Sequence, residues 1–521
     1  MVVAIVGVLV YLPALSGGFT NWDDPGYVAE NPYLGPLNPQ FLAWAFTTFR
    51  QASWNPLTWL SLGVDHGLFG LDPMGYHLTN AVLHAATALI VVVLTGMMFV
   101  RKLGSSDSRG LVAAAVVGLT FVVHPLHVES VVWVSERKDV LYGFFYVLAL
   151  LCYVRFTEQN KAAQYLATLG AFALALLAKP MAVSLPLVLF VLDAYPLARL
   201  TRPRWHRVFG EKMPFLVLAA ASSVVTFVAQ RRGDALARHI GIVDRFWVAE
   251  RAFGFYLAKM ALPINLVPMY PLESEISPWR WDYLLSLAIV LGATVAAVAV
   301  RRRIPLGSAL WAAYLVMLLP ATGVVLGQQA AADRHTYLAL LAPAIGSAAV
   351  VVRVWRRGRN TQTVLVVAIL AAVTSLAILT IRQIGVWRDT PTLWAWVIEK
   401  QPRAAMAYYN LGDYWREKGH LDRAGDYWRR TVEIEPSFSW PLNQLGNLAV
   451  LEGKLDEARS YYERATHANM HDAEAQLNFA TFLEEQGEIA EARIHYENFL
   501  RIAPPRFAHL LPEVRAKLKQ P

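Results

Sequence analysis

Cysteine is nearly absent from this chain. Cys152 is the only one among 521 residues and lies within an apolar run, so disulfides within the chain and cysteine-based metal sites are excluded, and Cys152 itself reads as a small buried apolar residue. Charge is scarce too. Asp, Glu, Lys and Arg make up 17% of residues against 56% hydrophobic, and the mean hydropathy is +0.36, too apolar for a soluble protein of this size. These deficits describe a polytopic membrane protein. The formal charge of +8 would suggest nucleic acid for a soluble domain, but here the basic residues gather at the ends of apolar runs, where the positive-inside rule expects them. No nucleic-acid partner is implied. A basic n-region is missing from residues 1–18, so this stretch is expected to be a retained first span and not a signal peptide cut at Ala14-Leu15-Ser16. Also missing are ionisable groups near mid-span and two related halves, both of which a transporter commonly shows.

A spanning helix needs about 20 apolar residues. Runs of that kind lie at about 2–18, 78–100, 111–124, 140–156, 162–178, a sixth run after Lys179, and then 213–230, 283–300, 307–326, 336–352 and 362–381, about eleven spans in all. Flanking bases orient them: Arg101, Lys102 and Arg109; Arg155 and Lys161; Arg199, Arg202, Arg204 and Arg207; Arg301 to Arg303; and Arg353, Arg356, Arg357 and Arg359 all fall on one side. That side is cytoplasmic, with the N-terminus inside and two long loops, 19–77 and 231–282, outside. Phe246 to Leu262 is short and carries Glu250, Arg251 and Lys259, so it is expected to lie at the interface or re-enter without crossing. The first loop is rich in aromatic residues, Phe41, Trp44, Phe46, Phe49, Trp54 and Trp59, in segments too short to cross that are expected to wall off the acidic pair beside them.

After Arg382 the composition turns polar and a repeat emerges. Gly412, Gly446 and Ala480 are spaced by 34 residues, as are Ala424, Ala458 and Ala492, and Gly419, Gly453 and Gly487. Three series in phase are the signature of tetratricopeptide repeats (TPR): small residues let paired helices pack closely, glycines end the first helix of each pair, and Trp428, Tyr462 and Tyr496 fill the gaps. The expected fold is therefore all-α: a membrane helix bundle over 1–382, a linker or helix over 383–404, about three TPRs over 405–506 and a tail over 507–521. A TPR array does no chemistry, and its groove usually holds an extended peptide or helix.

The polar clusters that interrupt the spans are expected on one side, opposite the basic loops. They are Asp23 and Asp24 in FTNWDDPGY; Tyr76 and His77; His124, His127, Glu129, Glu136, Arg137, Lys138 and Asp139; Lys179; and Asp333, Arg334 and His335. Asp23 and Asp24 sit just past the hydrocarbon edge, with Trp22 at headgroup level, where a carboxylate stays ionised yet close to lipid. The plainer alternative is an acidic loop with a turn at Pro25-Gly26. Carboxylates and cations at one membrane face suit a sugar carried on a polyprenyl phosphate. Transfer to a hydroxyl needs a base, here Asp23 or Asp24, and fixed cations for the departing phosphate, for which Arg137, Lys138, Lys179 and Arg334 are candidates. Tyr76, His77, His124, His127, Glu129, Glu136, Asp139 and Asp333 complete the polar site. His124, His127 and Glu129 invite a metal reading, but Pro125 breaks the helix that would align them; no metal ligand set is assigned, and room is left for a divalent cation. His77 and His84 are expected to pack against neighbouring helices.

FTNWDDPGYVAENPYL, GYHLTNAVLH, HPLHVESVVWVSERKDVL, AKPMAVSLPL and ADRHTYL resemble successive landmarks of the transmembrane-and-TPR-containing O-mannosyltransferases of the glycosyltransferase C superfamily. The resemblance covers nearly the whole chain. It implies an inverting glycosyltransferase, in the plasma or inner membrane if bacterial, that passes a mannose-like hexose from a polyprenyl-phosphate donor to Ser or Thr of extracytoplasmic protein, with the acceptor or a partner at the TPR groove. The catalytic acid of that superfamily maps onto Asp23 or Asp24. Glu129, Arg137, Asp139 and Lys179 match the pattern, whereas Glu136 and Lys138 replace small residues and Pro180 replaces an acid. Two other functions stay open: a transferase that modifies lipid or polysaccharide, and a non-catalytic membrane scaffold displaying TPRs.

Overall fold

The structure, a computed structural model, describes residues 1–102, 104, 107–200, 205–232, 241–272, 276–322, 329–504 and 507–519. Arg202 and Arg204, part of the second long loop and the end of the ninth expected span lie outside the described residues. The chain forms two compact units, Met1–Leu393 and Trp394–Pro521. The division falls inside the stretch expected to be a linker.

In the first unit six helices are long and apolar enough to cross a membrane: Pro73–Arg101, Val134–Gln159, Trp205–Arg232, Trp281–Val300, Pro305–Thr322 and Arg359–Val386. A pair bent by 50°, Ser108–Val123 with Pro125–Val132, and four shorter apolar helices, Val2–Ser16, Ala162–Ala178, Pro180–Ala194 and Leu341–Trp355, bring the apolar segments to eleven. Each falls on a run expected from the sequence. Their ends follow local chemistry. Proline opens the helices at Pro39, Pro56 and Pro73, where its missing N–H costs nothing, and the Asn38 and Asp72 side chains accept from the first-turn N–H groups of Phe41 and Met74. Pro125 makes the bend in the broken pair, and the His124 ring caps the new turn by accepting from the Leu126 N–H.

Helix Ile242–Ala261 is not among the crossing helices. Val248, Ala252, Tyr256 and Met260 are buried on one face while Ile242, Val243 and Phe246 stand exposed, the amphipathic layout expected of an interfacial segment. Beyond it a two-stranded antiparallel ribbon pairs Tyr270–Pro271 with Gln329–Ala331, tying the second long loop to the segment that carries Arg334. The first loop folds inward. Helices Pro39–Thr47 and Pro56–Phe69 bring Phe41, Trp59 and Leu62 around Tyr27, Tyr76 and Val134, so the expected aromatic wall closes on the acidic stretch.

The second unit stacks three helix pairs, Ala405–Glu417 with Leu421–Ile434, Ser439–Leu451 with Leu455–Ala468, and Ala473–Glu485 with Ile489–Ile502. Gly419, Gly453 and Gly487, each just past the first helix of its pair, have φ of +79°, +74° and +81°, a left-handed conformation that costs other residues roughly 1–3 kcal/mol. A short helix, Leu511–Lys517, packs on the last repeat through Val514, with Lys517 on Glu484 and Tyr496, so the expected tail is part of the fold. At Gly412 a Cβ would stand 2.4 Å from Trp428 Nε1. Gly412→Ala is accordingly expected to cost about 1–3 kcal/mol and to lower the unfolding temperature of the repeats, read by circular dichroism of the full chain in detergent.

Candidate active site

The site is assembled from segments far apart in sequence: the loop Gly17–Asp24, the turn Pro25–Ala29, the break between Val132 and Arg137, Lys179 between two helices, and Asp333–Thr336. The loop is pinned at its start by the Gly18 N–H donating to the Arg388 carbonyl at 2.9 Å and by the Asn21 N–H donating to Thr390 Oγ1 at 3.0 Å. Trp22 then stacks on Trp133 with centroids 4.6 Å apart, and Trp133 in turn lies against Trp387.

Asp23 and Asp24 are not equivalent. Asp24 is buried and accepts four hydrogen bonds: from the Thr20 N–H and hydroxyl on Oδ2, and from the Ser135 N–H and hydroxyl on Oδ1. Burial pushes its carboxyl up to about 6 despite those donors. Asp23 is half-buried; its carbonyl accepts from the Tyr27 N–H at 3.0 Å, but its carboxylate makes no hydrogen bond or ion pair among the described residues. Burial raises its carboxyl too; Lys138 and Arg334 pull it down while Glu136 pushes it up, so the carboxylate is within electrostatic reach of all three.

Glu136 gathers the cations. Its carboxylate lies 3.2 Å from Lys138 Nζ, 3.2 Å from Lys179 Nζ and 3.3 Å from Arg334 Nε. Asp139 also takes Lys179, at 2.5 Å, and a bond from the Ser130 hydroxyl, while Glu129 binds the Arg334 guanidinium and, at 2.9 Å, its backbone N–H. The three carboxylates are at most 2% exposed whereas the three cations are 11–17% exposed, so the acids are the more deeply buried and the cations keep some access to solvent. Burial alone would lower the guanidinium of Arg334, but Glu129 and Glu136 hold it well above its ordinary value, so its charge is permanent. Lys138 also lies over the Tyr27 ring, 4.7 Å from its centroid, and donates to the Tyr27 hydroxyl at 3.3 Å; Arg334 lies over Trp133 at 5.5 Å.

Other predicted site residues lie elsewhere. Arg137 is fully buried and turned away from the cluster: it donates to Asp65 at 2.5 Å, Ser61 at 2.8 Å, the Tyr76 carbonyl at 2.9 Å and Asn80. Arg137 is thus outside the cluster of Lys138, Lys179 and Arg334, where a phosphate partner was expected of it: four of its five N–H groups are committed to these partners and its side chain is fully buried. Tyr76 sends its hydroxyl to the Gly70 carbonyl, and Asp333 accepts from the Tyr270 hydroxyl behind the ribbon. The His77 ring is buried beneath Gly17. His124 meets the Met260 carbonyl, His127 the Phe121 carbonyl, and His84 Tyr337, so these rings build an aromatic core. Among the described residues no group of three His, Cys, Asp or Glu side chains comes together as around a metal ion.

The structure also corrects the expectation that the polar clusters lie on one side only. At the far end of the same helix that begins with Arg137, Tyr153 joins Asp193, Arg199, Glu211 and Lys212; Lys212 Nζ is 2.6 Å from Asp193 and 2.5 Å from the Tyr153 hydroxyl, and Arg199 bridges Asp193 and Glu211. Asp193 in VLDAYPL, a lone acid in an apolar run, was the signal for it. Tyr27, Trp133 and Ser135 were likewise missed, although Trp133 and Ser135 lie inside the loop singled out from the sequence.

Comparison with known proteins agrees with the fold. Family models described as tetratricopeptide repeat match residues 392–437 and 449–511. A Mus musculus protein named protein O-mannosyl-transferase TMTC2 is 33% identical over 165 residues, 30% of this chain and 18% of its own length; its Homo sapiens counterpart is 33% identical over 164 residues. Homo sapiens protein O-mannosyl-transferase TMTC1 matches at 23% identity over 504 residues, 84% of this chain and 55% of its own. The chain thus spans about half the length of that last relative and under a fifth of the first two. The crystal structure of MamA covers 24% of this chain at 18% identity and a TM-score of 0.21, too little overlap to bear on the argument. The resemblance to transmembrane-and-TPR-containing O-mannosyltransferases therefore holds.

Proposed function

We propose that this chain, similar as it is to proteins named O-mannosyl-transferases, is an integral membrane glycosyltransferase that moves a mannose-like hexose from a polyprenyl phosphate to Ser or Thr hydroxyls of extracytoplasmic protein. The observation that carries the proposal is the unpaired Asp23 carboxylate on a turn that Asp24 ties to Ser135, next in the chain to Glu136 and its cations. Asp23 takes the proton of the acceptor hydroxyl as its oxygen attacks the sugar C1. The bond from C1 to the phosphate oxygen breaks on the opposite face, giving inversion, and the electron pair leaves with the lipid phosphate. Lys138, Lys179 and Arg334 receive that charge, already converged by Glu136, so little reorganisation is needed as the charge develops. Arg334 can offer two parallel N–H bonds to a phosphate, the lysines point charges. The basic helix ends opposite are read as cytoplasmic, and the site and repeats as extracytoplasmic.

The repeats are read as the acceptor's or a partner's seat. Tyr409, Phe438 and Trp440 form an aromatic cluster with ring centroids 5.4–5.6 Å apart, and Trp440 is exposed, a surface suited to an apolar side chain of a bound peptide. Mass spectrometry of extracytoplasmic proteins from cells with and without the gene tests the whole reading. Hexose on Ser or Thr that disappears with the gene is the expected result; hexose lost from lipid or polysaccharide, with protein unchanged, would move the acceptor to that class.

A further inference from the structure

Asp23 is flanked on both sides by anchors to a single short segment. Trp22 stacks on Trp133, and Asp24 takes both the N–H and the hydroxyl of Ser135, at 2.9 and 2.5 Å. That segment runs straight into Glu136 and Lys138, so the backbone carrying the free carboxylate and the backbone carrying the cation cluster are joined at Asp24 and Ser135, one residue from Asp23 and one from Glu136. The other oxygen of Asp24 holds Thr20, at 2.8 and 3.0 Å, which closes the turn on itself. A buried carboxylate with four donors is not available to substrate, and a chain fixed at positions 22 and 24 leaves position 23 little freedom to shift or rotate.

We propose that Asp24 and Ser135 form a latch that sets the Asp23 carboxylate against the cation cluster, with Ser135 a positioning residue that touches neither donor nor acceptor. This inference rests on Asp23 as the base of the proposed transfer. Its physical content is registration: a displacement near 1 Å between a catalytic group and the reacting atoms costs on the order of 100-fold in rate. Ser135 is fully buried and its hydroxyl bonds only Asp24 among the described residues, so no binding role competes with this one.

The test uses the purified full chain in detergent with a polyprenyl-phosphate hexose and a Ser/Thr-containing peptide. Ser135→Ala is expected to lower kcat on the order of 10- to 100-fold with the donor KM within about twofold, and Ser135→Cys, whose S–H is a weak donor, to fall between Ala and Ser. An unchanged kcat in Ser135→Ala, or a raised donor KM with kcat intact, overturns the latch. If Ser135→Ala fails to fold, Thr20→Val removes the hydroxyl from the other side of the same carboxylate, with the same loss confined to kcat expected and an unchanged kcat overturning the proposal. Asp23→Asn in the same assay separates the two readings. Normal turnover there defeats the transfer mechanism, whereas a dead Asp23→Asn beside a fully active Ser135→Ala defeats the latch alone.

Discussion

Asp23→Asn is expected to lower the rate of sugar transfer by about 10² to 10⁴-fold, the usual worth of a positioned base, while the protein folds normally. The fold should survive because the Asp23 carboxylate makes no hydrogen bond or ion pair among the described residues, the Tyr27 N–H to Asp23 carbonyl bond does not involve the side chain, and Lys138 and Arg334 keep Glu136 as their partner. Asp24→Asn differs in kind. Its amide oxygen can still accept from Ser135, but its NH₂ would face the Thr20 N–H, donor against donor, so part of the activity and part of the thermal stability should go together. Initial rates and unfolding temperatures of the two variants, measured side by side, check this; equal turnover defects with equal stability defects would erase the distinction drawn between the two acids.

The same two carboxyls set a pH dependence. Both are raised, Asp24 to about 6, with burial the first cause in each. Activity should therefore begin to fall at a pH above the ordinary carboxylate value of 3.8, since Asp23, whose carboxyl burial raises, must be ionised to accept a proton. Stability runs the other way. A raised folded-state value means that the fold favours the protonated acid, so this contribution is fully present below 3.8 and lost as pH rises through about 6. Ionising Asp24 in its buried place thus costs about 3 kcal/mol at neutral pH, at 1.36 kcal/mol per pH unit. A protein that unfolds at a higher temperature at pH 5 than at pH 7, yet transfers sugar more slowly there, is the expected signature.

How far the sequence could be read divides along a physical line. Features set by local period were legible: apolar helices emerge at the expected places, six of them and one bent pair long and apolar enough to cross a membrane and four shorter, because a backbone buried in lipid must satisfy its own hydrogen bonds, and the 34-residue repeat emerges because each helix pair needs the same small residues and turn glycines. Direction was not legible. Asp23 and Asp24 are neighbours in a tight turn, and which of them faces the cluster depends on Ser135, 111 residues from Asp24. Arg137 and Lys138 open one helix about 100° apart around its axis, so one is buried on Asp65 while the other joins Glu136 and the Tyr27 ring. The buried Asp193–Lys212 pair escaped for a related reason: each charge, taken singly, looks like an interruption, and only the packing of their two helices makes them partners.

Arg137→Ala is expected to cost about 3–5 kcal/mol, enough to remove most folded protein, because it strands the buried Asp65 carboxylate without its cation. The Ser61 hydroxyl, the Asn80 side chain and the Tyr76 carbonyl lose their donor in the same step, and all of them belong to the elements that wall the acidic loop. The variant should appear as a drop in monodisperse protein after detergent extraction, not as an altered KM. Arg137→Lys keeps the charge but offers one ammonium where a planar fork reached several partners, so partial recovery is expected. Combining Arg137→Met with Asp65→Leu should recover more than either single change, because the double variant leaves no buried charge unpaired. A guanidinium that gripped the donor phosphate would behave in the opposite way: Arg137→Lys would fold well with a raised donor KM, and removing Asp65 would rescue nothing. The double variant therefore decides whether the arginine next to Lys138 serves the fold or the reaction, and its partners in the structure place it with the fold.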